Sequence, residues 1–206
     1  QIAMPARIRH LPDQLVNQIA AGEVIERPAS ALKELIENSL DADASRISVD
    51  LAEGSLSGLT VSDDGAGMAH DELILAVQRH ATSKLPHDNL VDIQFFGFRG
   101  EALPSIGSVS QLRLFSRQHE DLHGWALTVR HGNADEPEPA AGERGTRIEI
   151  NDLFASVPAR LKFMKTQKTE AGQCYDVVRR FAMSRPDVSF ILTDSGRTVL
   201  RPVSYT

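Results

Sequence analysis

A single cysteine, Cys174, leaves the chain without the means to form an intrachain disulfide, which fits a reducing compartment, the cytoplasm. The simplest role for Cys174 is a small residue inside a helix. No apolar run approaches the ~20 residues a membrane span needs, so no membrane partner is expected. The opening Gln1-Ile2-Ala3-Met4-Pro5 has no charged stretch leading into an apolar one and does not read as a secretory signal. Met4 is a candidate natural start, with a short vector-derived remnant before it. No glycine is followed by lysine, which excludes a Walker A loop. No Gly-x-Gly-x-x-Gly follows a strand, which excludes the dinucleotide fingerprint. There is no internal repeat and no second domain to be read, so the 206 residues are taken as one domain.

What is present is 41% apolar and 24% charged, enough for a sizeable core in a soluble domain. The net charge of -6 argues against a protein that simply coats nucleic acid. It is unevenly spread: residues 1–150 carry 13 Lys/Arg against 23 Asp/Glu, whereas residues 151–206 carry 9 against 5. Arg160, Lys162, Lys165, Lys168, Arg179 and Arg180 lie close together in that basic quarter. They form either a solvated face or a contact for a phosphate backbone.

Periodicity predicts helix over 11–40, broken at Ala21-Gly22 and restarting near Arg27-Pro28, because proline is tolerated in a first helical turn. Strands are predicted over 46–51, where Ile47, Val49 and Leu51 alternate, and over 59–62. A helix is predicted over 70–79 and a short one over 101–106, with a long loop between them of the kind that often serves as a lid. Further strands fall at 111–116, 124–130 and 147–151. The Pro/Glu/Ala/Gly stretch 132–145 reads as an exposed connection, 169–184 as a helix, and Asp194-Ser195-Gly196 as a hairpin turn. Short strands with hairpin-like connections favour an α/β (α+β) two-layer sandwich, helices on one face of a mixed, largely antiparallel sheet.

Three segments carry candidate chemistry. On the helix ending near Leu40, Glu34, Glu37, Asn38 and Asp41 fall within about 100° of one another, opposite Ala29, Leu32, Leu35, Ile36 and Leu40. An acidic solvated face explains this. However, Asn38 is a poor helix former, and no lysine stands four residues after Glu34 or Glu37. A carboxylate and an amide one turn apart also suit a metal–phosphate site, the amide ligating Mg²⁺ and the carboxylate activating water. Asp63-Asp64-Gly65-Ala66-Gly67 is either a strand-ending turn or an adenine pocket, with a carboxylate accepting from the exocyclic amine. Phe96-Gly97-Phe98-Arg99-Gly100-Glu101-Ala102-Leu103 places two glycines before a helix, a plain turn or a backbone nest for phosphate. One decoy is rejected: His119-Glu120-Asp121-Leu122-His123 fits H-E-x-x-H, but it joins two strands and is expected to be a hairpin loop.

Taken together, IAAGEVIERPASALKELIENSLDAD (19–43), RHATSK (79–84), GFRGEAL (97–103) and PARLKFMK (158–165) resemble the MutL family of DNA mismatch-repair proteins. That family belongs to the wider ATPase group of gyrase B, a heat-shock chaperone and histidine kinases. The resemblance covers nearly the whole chain, from about residue 8. It implies ATP and Mg²⁺ as cofactors, Glu34 as general base and Asn38 as the Mg²⁺ ligand. Asp63 would bind the adenine amine, with Thr146 nearby through water and Ala42, Gly67 and Met68 around the nucleotide. Thr82, Ser83 and Lys84 would line the lid, and Gly97, Phe98, Arg99, Gly100, Glu101, Ala102 and Leu103 would wrap the phosphates. It further implies a homodimer on ATP binding and signalling from a mismatch-recognition protein to a downstream repair nuclease or helicase. Weak DNA contact through the basic residues 158–180 and a cytoplasmic, nucleoid-associated location follow from it as well. A lysine from a following domain would contact the γ-phosphate, so turnover by this stretch alone is expected to be weak. Three departures stand out: Asp64 where relatives commonly have Asn, Asp43 where many have Gly, and Ala155-Ser156-Val157 where Tyr-Asn-Thr is usual.

Overall fold

The computed structural model describes residues 11–53, 58–78 and 101–201, without the side chains of Gln14 and Asn17. The elements run α1 (Asp13–Val24), α2 (Pro28–Asp41), β1 (Arg46–Ala52), β2 (Gly58–Asp63), α3 (His70–Val77) and α4 (Ala102–Ser108). They continue with β3 (Gln111–Arg117), β4 (Gly124–Arg130), β5 (Asn133–Ala134), β6 (Glu138–Ala140) and β7 (Gly145–Asn151). The chain closes with α5 (Pro158–Leu161), α6 (Gln167–Ser184), β8 (Ser189–Asp194) and β9 (Arg197–Leu200). The strands form one sheet in the order β5-β4-β3-β7-β2-β1-β8-β9, with β6 also paired to β4. Every pairing is antiparallel except β1 with β8.

Alternation along each strand makes this a two-layer structure. In β1, Ile47, Val49 and Leu51 turn inward and are buried, while Arg46 and Asp50 face solvent. The inward residues meet the apolar stripe of α2, where Ala29, Leu32, Leu35 and Ile36 are buried together with Ala171, Cys174 and Val178 of α6. Each fully buried Leu or Ile contributes about 1.5–3 kcal/mol relative to its exposed state. Cys174 is one of these packing residues. Among the described residues no helix is long and apolar enough to cross a membrane.

The helical hairpin at the start breaks later than expected. α1 runs straight through Gly22, and the break falls at Ile25-Glu26-Arg27. Pro28 is the cause: a proline ring disfavours the helical region for the residue before it, and Arg27 is extended at φ -157 and ψ 170. Gly22 serves close approach instead of termination, since a Cβ there would lie 2.5 Å from the Arg160 guanidinium, which donates to the Gly22 carbonyl. Stretch 132–145 likewise differs from expectation, for β5 and β6 pair with β4 inside it although most of its residues are exposed. The β8–β9 turn is as expected, with Ser195 and Gly196 both at positive φ, 51° and 78°, as a two-residue hairpin requires.

α2 ends in a Schellman motif that explains one departure. The Ala44 N–H donates to the Ser39 carbonyl and the Asp43 N–H to that of Leu40, with Asp43 left-handed at φ 56. Glycine suits that conformation because it has no Cβ. Asp43→Gly is expected to stabilise the fold by up to about 1 kcal/mol in denaturant unfolding. A loss of stability would mean that the Asp43 side chain makes contacts worth more than the strain.

Candidate nucleotide site

β2 delivers Asp63 to the end of the sheet beside α2. Pairing register sets four side chains in one row across neighbouring strands: Asp63 opposite Thr146, Thr146 opposite Ser116, and Ser116 opposite Trp125. Residues directly opposite in antiparallel strands share a face. Two residues back along the same face, Val61, Ile148, Leu114 and Leu127 form a buried apolar row. The polar row therefore begins where the core ends, at the rim of the helix layer.

The Asp63 carboxylate is held on both oxygens. Oδ2 accepts from the Ser39 hydroxyl at 2.6 Å, while Oδ1 accepts from the N–H of Gly65 at 2.9 Å and of Thr146 at 3.3 Å. Burial lifts its pKa above the ordinary carboxylate value, and the adjacent Asp64 charge adds to this. The Ser39, Gly65 and Thr146 donors oppose the rise without cancelling it. Asp64 is turned away: it accepts from the Ser45 hydroxyl at 2.5 Å and from the Ser45 and Arg46 N–H groups at 2.8 Å each. Slight burial works against its ionisation, but these donors outweigh it and hold its pKa below the usual value. An asparagine could keep the same set, its oxygen accepting from both N–H groups and its amide donating to Ser45. Asp64 therefore clips the β1–β2 ends together, as an asparagine would.

Of the remaining expected residues, Ala42, Gly67 and Met68 lie at this end of the sheet. Ala42 caps α2, and its carbonyl accepts from the Ala66 N–H at 2.9 Å. Gly67 sits at φ 73 with its α-carbon against the Arg117 carbonyl, a place any Cβ would occupy. The Met68 N–H donates to the Ser116 hydroxyl at 2.7 Å, and that hydroxyl lies 2.8 Å from the Thr146 hydroxyl. Glu34 and Asn38 are half-buried one turn apart on α2, off its buried stripe, with Asn38 next to the serine that bonds Asp63. Glu101 is exposed, whereas the Ala102 and Leu103 side chains are buried, so these two offer a ligand only their main chain. Thr82, Ser83, Lys84, Gly97, Phe98, Arg99 and Gly100 lie outside the described residues.

Two residues of this arrangement were missed in the sequence, Ser39 and Ser116. Both are buried polar groups on otherwise apolar faces, Ser39 on the buried side of α2 and Ser116 in phase with Leu112 and Leu114. A hydroxyl in a core phase needs a partner, and that was the available signal. The H-E-x-x-H segment lies in the β3–β4 connection, as expected, with His123 packed 5.3 Å from Trp125.

The profile of the histidine kinase-, DNA gyrase B- and HSP90-like ATPase family matches residues 25–152. The DNA mismatch repair protein MutL of Paramagnetospirillum magneticum is 61% identical over 193 residues, covering 94% of this chain and 32% of that protein. The corresponding protein of Rhodospirillum rubrum is 57% identical over 194 residues, covering 94% of this chain and 31% of its own length. The chain thus spans about a third of the length of the curated relatives it matches. Among solved structures, the Aquifex aeolicus MutL ATPase domain complexed with ADP superposes with a TM-score of 0.73 at 31% identity, covering 88% of this chain and 66% of that one. On these similarities the chain belongs to the histidine kinase-, DNA gyrase B- and HSP90-like ATPase family, as a MutL-type N-terminal ATPase domain.

Proposed function

We propose that this domain is a nucleotide-driven switch in DNA mismatch repair, binding ATP with Mg²⁺ and hydrolysing it slowly. The observation that carries the reading is the Asp63 carboxylate, preorganised at the sheet rim by three donors, with Thr146 directly opposite on β7. Such an acceptor suits the exocyclic amine of adenine. The oxygen ligands on the half-buried edge of α2 suit a hard cation: the Asn38 amide would hold Mg²⁺, which neutralises charge on the phosphates. Glu34, one turn away, orients the attacking water and takes its proton. Ala42, Gly67 and Met68 bound the base, and the N–H groups of Ala102 and Leu103 face the phosphates with Glu101 at the helix entry. Thr82, Ser83, Lys84, Gly97, Phe98, Arg99 and Gly100 complete the phosphate side on the strength of the resemblance.

In this reading ATP closes the site and drives homodimerisation. The closed dimer then engages the mismatch-recognition protein and the downstream nuclease or helicase at the nucleoid. Isothermal titration with a non-hydrolysable ATP analogue tests the core of it. Binding that strengthens with Mg²⁺ is expected, and binding indifferent to Mg²⁺ would remove Asn38 from its role.

A second interaction has its own support. Lys162, Lys165, Lys168, Arg179 and Arg180 are all exposed, a surface fitted to a phosphate backbone. Arg160 is not part of it, since its guanidinium is directed to the Gly22 carbonyl and lies 6.0 Å from the Phe154 ring. The double change Lys162→Glu with Lys165→Glu is expected to weaken DNA binding and lower the salt slope by about 1 for each phosphate contact removed. An unaltered slope would leave these residues a solvated face.

A further inference from the structure

We infer that Phe163 reads unpaired DNA bases: its ring stacks on a base whose flanking phosphates are held by the lysines of the same turn. This rests on the DNA contact proposed above and adds to it a residue that touches bases instead of phosphates.

The way the turn is built carries the inference. Phe163 is 77% exposed, the one exposed aromatic among the described residues. A ring of that size in water forgoes burial, the main stabilising term open to it. An inward place exists in the same turn, and Met164 takes it, packed against the core. The outward pose is fixed by hydrogen bonds. The Phe163 N–H donates to the Arg160 carbonyl at 3.0 Å, and the Met164 N–H to that of Leu161 at 3.1 Å. Both ends of the turn are tied down. The Arg160 guanidinium holds the front to the Gly22 carbonyl, and the Lys165 N–H donates at 3.0 Å to the fully buried Glu170 carboxylate. The ring is therefore presented at a set place and does not hang on a loose loop.

Charge of one sign surrounds it. From Pro158 to Thr169 the sequence holds Arg160, Lys162, Lys165 and Lys168 and no acidic residue, in a chain of net charge -6. Lys162 and Lys165, on either side of the ring in sequence, are both exposed. An aromatic face between cations is the combination that binds single strands, where phosphates meet the lysines and the bases lie open to stacking. In a duplex the same bases are stacked on one another, and only their edges and the phosphates can be reached.

The test is a set of anisotropy titrations at one low salt concentration with three DNA probes. They are an oligothymidine of about 16 nucleotides, an abasic strand of the same length, and a duplex of the same length. The abasic strand keeps every phosphate and lacks every base. The unmodified chain is expected to prefer the oligothymidine to the abasic strand by about 5-fold or more, the worth of one stacked base. Phe163→Ala is expected to remove that preference, weakening the oligothymidine by the same factor and the other two probes by less than about 2-fold. Phe163→Leu, apolar but without a ring face, should behave as the alanine variant does, and Phe163→Trp should keep the preference. An unmodified chain indifferent to the loss of bases overturns the inference. So does Phe163→Ala weakening all three probes equally, or none, which would leave the ring a general surface contact or a contact for a protein partner. Lys162→Glu with Lys165→Glu gives the separate reading. If that pair leaves all three probes bound as before, the DNA contact itself falls. That result is distinct from the lysine changes weakening every probe while Phe163→Ala leaves the base preference unmoved.

Discussion

Asp63→Asn is expected to abolish ATP binding while leaving the fold intact. The Gly65 and Thr146 N–H groups both donate to Oδ1, so the asparagine oxygen must stay there. Its amide then stands where Oδ2 stood, donating to the Ser39 hydroxyl and presenting N–H where the adenine amine needs an acceptor. Internal bonds survive and the pocket's polarity inverts. Loss of a charged acceptor costs about 1.5–3 kcal/mol, or roughly 10- to 150-fold in affinity, before the donor–donor clash is added. Stability should move the other way. Burial raises the Asp63 pKa, so its contribution to stability is full below the unfolded-state value and is lost as pH rises through the folded value. Above the folded value the ionised side chain is therefore a liability that asparagine removes, and unfolding there should occur at equal or higher denaturant. ATP affinity in the unmodified chain has the matching pH dependence. It should fall on acidification at a pH above that of an ordinary carboxylate, because protonation turns the acceptor into a donor. Affinity that falls only within the ordinary carboxylate range, or an Asp63→Asn chain that still binds tightly, would sink the assignment.

Glu34→Ala should separate binding from turnover. Nucleotide affinity is expected to persist and hydrolysis to drop by ~10²–10⁴, the usual contribution of a general base. Glu34 is half-buried off the apolar stripe of α2, and alanine is the strongest helix former, so the helix should survive the change. Steady-state phosphate release beside analogue titration reads both quantities. Turnover unchanged in the variant would move the base to another residue.

How much of this was legible in the residues depended on the range of the interaction. Period-two alternation located β1, β2, β3, β4 and β7 to within a residue or two, since the inward face of a strand is dictated locally by the need to bury it. The stripe of α2, and the placing of half-buried Glu34, Glu37 and Asn38 and exposed Asp41 off it, followed from helical periodicity alone. The break after α1 was misplaced at Gly22 because glycine's local signal is ambiguous. The same residue marks a helix end or a close contact, and only the arrival of Arg160 from 138 residues away decides which.

The sequence by itself determined the chemistry available at the site: a carboxylate and an amide one helical turn apart, an aspartate at a strand end, and glycine-bearing turns. The resemblance singled out Asp63 over Asp64, and only the tertiary structure gives a physical difference between these two adjacent aspartates. Asp63 and Asp64 are equivalent in composition, yet Ser39 reaches from α2 to one while the Ser45–Arg46 backbone captures the other. It also decided that Thr146 and Ser116, 83 and 53 residues beyond Asp63, stand beside it in one row. Strand register is a long-range property, set by how three antiparallel strands bury their inner faces together, and no local pattern encodes it.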